Sequence, residues 1–128
     1  SYSLKDLRLL ERAREALASD LERNLSLADV ARQLATNQTK LKSGLRAIYG
    51  ITASGYRRQC RMQKALRLLA DEGLPASVVA ARVGYSAHAS FTVAFQAFHN
   101  ITPREAQRQG KDNQGAAPNG VPESPATP

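Results

Sequence analysis

An internal repeat of about fifty residues is the feature that most constrains the fold of this chain. Four positions recur with a shift of 50 residues, namely Leu41, Leu45, Gly50 and Thr52 as Phe91, Phe95, Asn100 and Thr102. Three upstream positions recur with a shift of 49, namely Val30, Ala31 and Leu34 as Val79, Ala80 and Val83. Each copy reads as a short helix, a tight turn and a second helix with an i, i+4 apolar pair. This is a helix-turn-helix layout, although the apolar pattern alone fits two hairpins of an ordinary helical bundle equally well.

The remaining apolar spacing and the capping residues also indicate helices. The pattern predicts seven of them, at about 4–22, 27–34, 38–48, 52–71, 75–84, 87–98 and from 103 onward. Their predicted N-terminal caps include Ser3, Ser26, Thr52, Ser86 and Thr102. From Gly110 the composition turns polar and rich in glycine and proline, which predicts a disordered tail over 110–128.

The expected architecture is therefore all-α, with seven helices forming two helix-turn-helix subdomains joined by a long linker helix. The folded domain is predicted to span 1–109, with a first subdomain at 1–50, a linker helix at 51–72 and a second subdomain at 73–109. A 20-residue linker helix is about 30 Å long, and successive major grooves on one face of B-DNA lie about 34 Å apart. We expect that such a helix holds the helices 38–48 and 87–98 in adjacent turns of the major groove.

Charge separates the bundle interpretation from the nucleic-acid one. The 128 residues carry a formal net charge of +7, which suggests a polyanionic partner without distinguishing DNA, RNA and anionic membrane. The stretch 37–70 holds eight Lys or Arg residues and no Asp or Glu. In the predicted helix 38–48, the residues outside the apolar stripe are of types that donate to phosphates or to base edges: Gln38, Thr39, Lys40, Lys42, Ser43 and Arg46.

Several other classes of protein are disfavoured. A single cysteine, Cys60, allows no intramolecular disulfide, and two distant histidines with one cysteine do not form a metal site. No apolar run approaches the ~20 residues that span a bilayer, and no nucleophile–base pair or glycine-rich phosphate loop is present. We therefore expect no enzyme, no cofactor, no metal and no membrane partner, and a cytoplasmic, nucleoid-associated location. The abrupt N-terminus suggests a fragment of a longer protein.

Three stretches carry a resemblance to a known family. They are Gly84-Tyr85-Ser86 with Phe91, Phe95 and Ile101-Thr102-Pro103; Arg61-Met62 with Ala65 and Leu68-Leu69; and Leu45-Arg46 with Tyr49-Gly50-Ile51-Thr52. Over about residues 4–109 the chain resembles the C-terminal domain of the AraC/XylS family of bacterial transcription regulators. The resemblance implies binding to double-stranded DNA, contact with RNA polymerase as the activating step, and an N-terminal effector or dimerisation domain that this chain lacks.

The resemblance also implies site residues. The base-reading positions fall on Thr39, Lys42 and Ser43 in the first unit and on His88, Ala89, Thr92 and Val93 in the second. The resemblance places Arg46 on phosphate, and phosphate contact is also expected at Gln38, Lys40, Arg57, Arg58, Arg61, Ser86 and Gln96. For Arg57, Arg58 and Arg61 the lack of nearby acids favours phosphate contact by at least one of them, and the alternative is a merely solvated face. Family members often carry Arg in place of Val93 and Lys or Arg in place of Gln96. We therefore expect the first unit and the linker to supply most of the electrostatic affinity, with the second unit binding through apolar contact and His88, or only weakly.

Two further interpretations stay open at this point. The run 37–42 with Gly44-Leu45-Arg46 resembles the branch of the family that regulates siderophore and iron-uptake genes. The alternative to sequence-specific DNA binding is an RNA-binding module or a helical protein-interaction module whose positive charge is incidental.

Overall fold

The computed structural model describes residues 1–116, and every regular element in that range is helical. The helices are α1 (Leu4–Ala18), α2 (Leu27–Gln33), α3 (Gln38–Tyr49), α4 (Ala53–Ala70), α5 (Ala76–Arg82), α6 (His88–His99) and α7 (Pro103–Ala116), with a short 3-10 turn at Leu21–Arg23. The predicted all-α fold of seven helices is thus confirmed. The chain divides into two compact units, unit 1 (Ser1–Arg61) and unit 2 (from Met62 onward), and each has its own core.

The core of unit 1 forms where α1, α2 and α3 bury their apolar stripes. Its buried side chains are Leu10, Ala13, Leu17, Val30, Ala31, Leu41 and Leu45. Ala53 and Tyr56, from the first turns of α4, pack against this core. Two capping boxes begin the first two helices, because Ser3 pairs with Asp6 at α1 and Ser26 with Asp29 at α2.

The core of unit 2 is built in the same way from the end of α4 and from α5, α6 and α7. Its buried side chains are Met62, Ala65, Leu68, Leu69, Val79, Ala80, Val83, Phe91, Phe95 and Ala106. The boundary between the units, at Arg61 and Met62, lies inside α4. The helix predicted as a separate linker therefore contributes side chains to both cores.

The repeat is visible in the backbone of both helix-turn-helix units. The amide of Thr36 donates to the carbonyl of Ala31 at 2.9 Å, and the amide of Tyr85 donates to that of Ala80 at 2.8 Å. A residue with positive φ precedes each of these amides, Ala35 in unit 1 and Gly84 in unit 2. The shift between the copies grows from 49 to 50 residues, so the second copy has one additional residue in its turn. This residue lies between Tyr85 and the start of α6, where it lengthens the turn without changing either helix.

The end of α1 and the N-cap of α6 differ from the sequence prediction. Helix α1 ends at Ala18 rather than near residue 22, because the backbone of Ser19 is extended and that of Asp20 is in the left-handed region. Leu21 is still buried, but it belongs to the 3-10 turn that follows the helix. Ser86 does not cap α6, since the inserted residue moves the N-cap to Ala87, whose side chain cannot accept a hydrogen bond. The N-cap of α3 is Asn37, which is absent from the predicted caps.

Helix α7 continues through Gly110 to Ala116, past the point where a disordered tail was expected. The reason is tertiary, because Gly110 is buried and its Cα faces the backbone of Ala70 so closely that a Cβ there would overlap the Ala70 carbonyl. Composition alone signals a helix breaker at a glycine, whereas here the missing side chain permits two helices to touch. The rest of the predicted tail, residues 117–128, lies outside the described residues.

We predict that Gly110→Ala destabilises the domain by about 1–3 kcal/mol, because the added methyl overlaps backbone that cannot move aside like a side chain. This loss exceeds the gain of up to about 1 kcal/mol that alanine brings to a helix interior. Chemical unfolding measures it, with the exposed neighbour substitution Gln109→Ala as the control. A Gly110→Ala protein as stable as the control would contradict this packing.

A second prediction concerns the capping box of α7. The backbone amide and hydroxyl of Thr102 hold the pKa of Glu105 below its ordinary value of 4.5. A lowered folded pKa adds stability above about pH 4.5, and this contribution disappears as pH falls through the folded pKa. Glu105→Gln keeps the cap but not the charge, so its melting temperature should fall less steeply than the wild type's between about pH 6 and about pH 3. Parallel slopes would contradict the assignment.

Candidate nucleic-acid interface

Helix α3 presents a polar, cationic face to solvent while its other face is buried. Leu41, Gly44 and Leu45 face the core of unit 1. Every residue of α3 predicted to contact DNA is exposed: Gln38, Thr39, Lys40, Lys42, Ser43 and Arg46. No acid occurs in α3, so every charged side chain on this face is positive.

Both ends of α3 are fixed by local chemistry. The Asn37 side chain accepts the Lys40 amide at 2.8 Å, and Gly50 ends the helix with a φ of 71° that suits glycine. Near the C-terminal end, the Arg14 guanidinium lies 4.3 Å from the centroid of the Tyr49 ring, a cation–π contact. Tyr49 and Tyr56 are both partly buried against the core of unit 1, so they are packing residues.

One predicted phosphate contact already has a partner within unit 1. The Lys40 ammonium lies 3.2 Å from a carboxylate oxygen of Asp6, at the start of α1. The Ser3 backbone, together with Lys40, lowers the pKa of Asp6 below its usual value. This exposed ion pair is weak, and a phosphate could replace the carboxylate at little cost.

Arg57 and Arg61, one turn apart on α4, are anchored to the loop that leads into α2. The Arg57 guanidinium donates to the carbonyl of Leu25, and the Arg61 guanidinium donates to the side-chain oxygen of Asn24 at 2.6 Å. Burial, and then repulsion from Arg61, lowers the pKa of Arg57. The sequence analysis missed this structural role, since the partners lie 32 and 37 positions away. Arg58, between them, is exposed.

Helix α6 holds the corresponding position in unit 2 but presents different chemistry. Phe91 and Phe95 are fully buried. The predicted residues His88, Ala89, Val93 and Gln96 are exposed, as is Ser86 in the turn before the helix, whereas Thr92 is partly buried. The Thr92 hydroxyl donates to the His88 carbonyl at 3.1 Å. The whole segment 83–103 contains no charged side chain of the Lys, Arg, Asp or Glu type.

The structure thus places most of the predicted residues on α3 and α6, while Arg57, Arg58 and Arg61 lie on α4 and Ser86 lies in the turn before α6. Over residues 1–116 no group of three or more His, Cys, Asp or Glu side chains is placed to hold a metal ion. In the same range no helix is both long and apolar enough to cross a membrane.

This fold and these surfaces define a double helix-turn-helix domain of the DNA-binding class. A family model described as "Helix-turn-helix domain" matches residues 30–109. The chain belongs to the AraC/XylS family of transcription regulators, as the resemblance implied.

Similar proteins agree with this assignment. The HTH-type transcriptional regulator GadX of Escherichia coli O6:H1 is 33% identical over 84 residues, which cover 66% of this chain and 30% of GadX. The chain therefore spans about a third of that relative. The C-terminal domain of AraT, a response regulator from Geobacillus stearothermophilus, superposes with a TM-score of 0.74 at 28% identity, covering 79% of this chain and 84% of that one. A DNA-binding transcriptional dual regulator from Escherichia coli K-12 gives a TM-score of 0.73 at 27% identity, covering 81% and 93%.

We predict that Arg57→Ala loosens the loop before α2 and costs about 1–2 kcal/mol of stability, because a partly buried carbonyl loses its charged donor. Hydrogen exchange at the amides of the loop and of α2 measures the local effect. The matched control is Arg58→Ala, which removes the same charge from an exposed position. Equal exchange in the two variants would show that the Arg57 contact does not hold the loop.

Proposed function

We propose that unit 1 binds DNA by inserting α3 into the major groove, where Thr39, Lys42 and Ser43 contact base edges. The observation that carries this proposal is a helix held by two buried leucines whose exposed face contains donors and no acid. Lysine and hydroxyl side chains at such positions can donate to the acceptors that base pairs display in that groove.

Phosphate contacts flank this surface. We assign them in unit 1 to Gln38, Lys40, Arg46 and Arg58, whose side chains are exposed. We also assign phosphate contacts to Arg57 and Arg61, whose positive charges lie on the same helix as that of Arg58. Such contacts position the duplex without reading its sequence.

Unit 2 contributes a second major-groove contact through α6 in this proposal. His88, Ala89, Thr92 and Val93 are its base-facing residues, and Ser86 and Gln96 donate to phosphates. Because no cation lies between Arg82 and Arg104, unit 2 adds little to the salt-dependent part of the affinity.

In the cell we propose a transcription activator, acting on the nucleoid in the cytoplasm through contact with RNA polymerase. We further propose that the full-length protein carries an N-terminal effector or dimerisation domain, because the matched relative is about three times longer than the matched region. Regulation of siderophore genes rests on the run 37–46 alone and stays a hypothesis.

Selection of duplexes from a random pool would identify the operator, and RNA competitors would test the RNA-binding alternative.

We predict that Lys42→Ala and Arg46→Ala affect the selected duplex differently. Lys42→Ala should reduce discrimination at one or two base pairs by about 1–3 kcal/mol, because a direct base contact is lost. Arg46→Ala should weaken all duplexes alike and reduce the salt slope by about one. Binding titrations at several salt concentrations measure both quantities.

The control for charge is Arg12→Ala, which removes an exposed cation from α1. It should leave the sequence preference unchanged. If Lys42→Ala kept the full sequence preference, the assignment of α3 as the base-reading helix would be wrong. Preference for structured or single-stranded RNA over any duplex would contradict the function itself.

A further inference from the structure

We infer that α6 is a thymine-reading helix, which recognises the C5-methyl group of thymine through a stripe of small apolar side chains. This inference rests on the proposed function, since it specifies which chemical group the second unit binds in the major groove. The stripe is Ala89, Val93 and Ala97, spaced four residues apart on one side of α6, and all three are exposed.

Comparison of the repeats shows how far the two recognition helices differ. Helices α3 and α6 have equal length, and their positions correspond with a shift of 50 residues. Each is followed by a C-cap residue in the left-handed region. At equivalent exposed or partly exposed positions every cation of α3 has a neutral counterpart in α6: Lys40, Lys42 and Arg46 correspond to Ser90, Thr92 and Gln96. Two of the three stripe positions change as well, from Thr39 and Ser43 to Ala89 and Val93, while Ala47 and Ala97 are the same residue type.

Val93 is the central member of the stripe and 70% of its surface is exposed. A valine in mid-helix that is this exposed gains nothing from burial in the isolated domain. The hydroxyl of its neighbour Thr92 is already engaged with the His88 carbonyl, so that donor is not free for a base. Along its centre α6 therefore offers methyl groups in place of the donors found on α3.

The major groove contains one matching group. Among the base edges displayed there, the C5-methyl of thymine is the apolar one, and alanine and other methyl-bearing side chains contact it. A protein partner fits the stripe less well, because the residues that dominate protein interfaces are Trp, Tyr and Arg, and the stripe has two alanines and one valine. The equivalence of α6 to α3 thus favours DNA as the occupant.

The test uses the duplex selected by the domain, with each thymine replaced singly by deoxyuridine, which removes only the C5-methyl. Because burying one methyl group changes an equilibrium constant by about fourfold, at least one replacement should weaken wild-type binding by about that factor. Val93→Ala removes the two γ-methyl groups, which extend further from the helix than the alanine side chains of the stripe, so it should lose most of this sensitivity at the same position. Ser43→Ala, the equivalent substitution in α3, should keep it.

The Val93→Ala variant should fold like the wild type, since Val93 is exposed and alanine favours helix. Circular dichroism checks the helix content of the variant. If no uracil replacement weakens wild-type binding, or if Val93→Ala retains the full penalty, the inference is wrong, and α6 binds another group or a protein. In that case Lys42→Ala still alters sequence preference and the proposed function stands. If no duplex survives competition at all, both the proposed function and the inference fail.

Discussion

The exposed faces of α3 and α6 depend on pairs of apolar side chains one turn apart that anchor each helix to the core of its unit. Leu41 and Leu45 in unit 1, and Phe91 and Phe95 in unit 2, are at most 1% exposed. An α-helix turns by about 100° per residue, so anchoring two positions four residues apart fixes which of the others face solvent. Without these anchors α3 would have no defined polar face, and the base contacts proposed for it would have no fixed register.

Because the anchors fix orientation, the exposed residues are free to change without loss of the fold. The two units show this separation, since their buried positions stay apolar while α3 is cationic and α6 has no Lys or Arg. Phosphate attraction is long-ranged and salt-dependent, whereas methyl contact is short-ranged and insensitive to salt. The proposed function therefore assigns most of the electrostatic affinity to unit 1 and the recognition of the DNA sequence to both units.

The sequence was sufficient to predict the helices and the repeat because these follow from short-range periodicity and capping. It was insufficient wherever a contact with a residue distant in sequence determines the local structure. Gly110 continues α7 because it touches the backbone of Ala70, and Arg57 holds a loop 32 residues away. The predicted site residues of α3 are all exposed, since helical spacing alone determines that, but the ion pair between Lys40 and Asp6 required the tertiary structure.

Helix α4 explains why the units share an element instead of being joined by a separate linker. Leu10, Ala13 and Leu17 of α1 recur 52 residues later as Met62, Ala65 and Leu69 of α4, and all six are buried. The end of α4 thus does in unit 2 what α1 does in unit 1, while its first turns pack on unit 1 as α7 packs on unit 2. Fusing these two roles in one continuous helix keeps every backbone hydrogen bond through the boundary and avoids the entropy cost of ordering a loop. The repeat is therefore four helices long, and the fourth helix of the first copy continues into the first helix of the second.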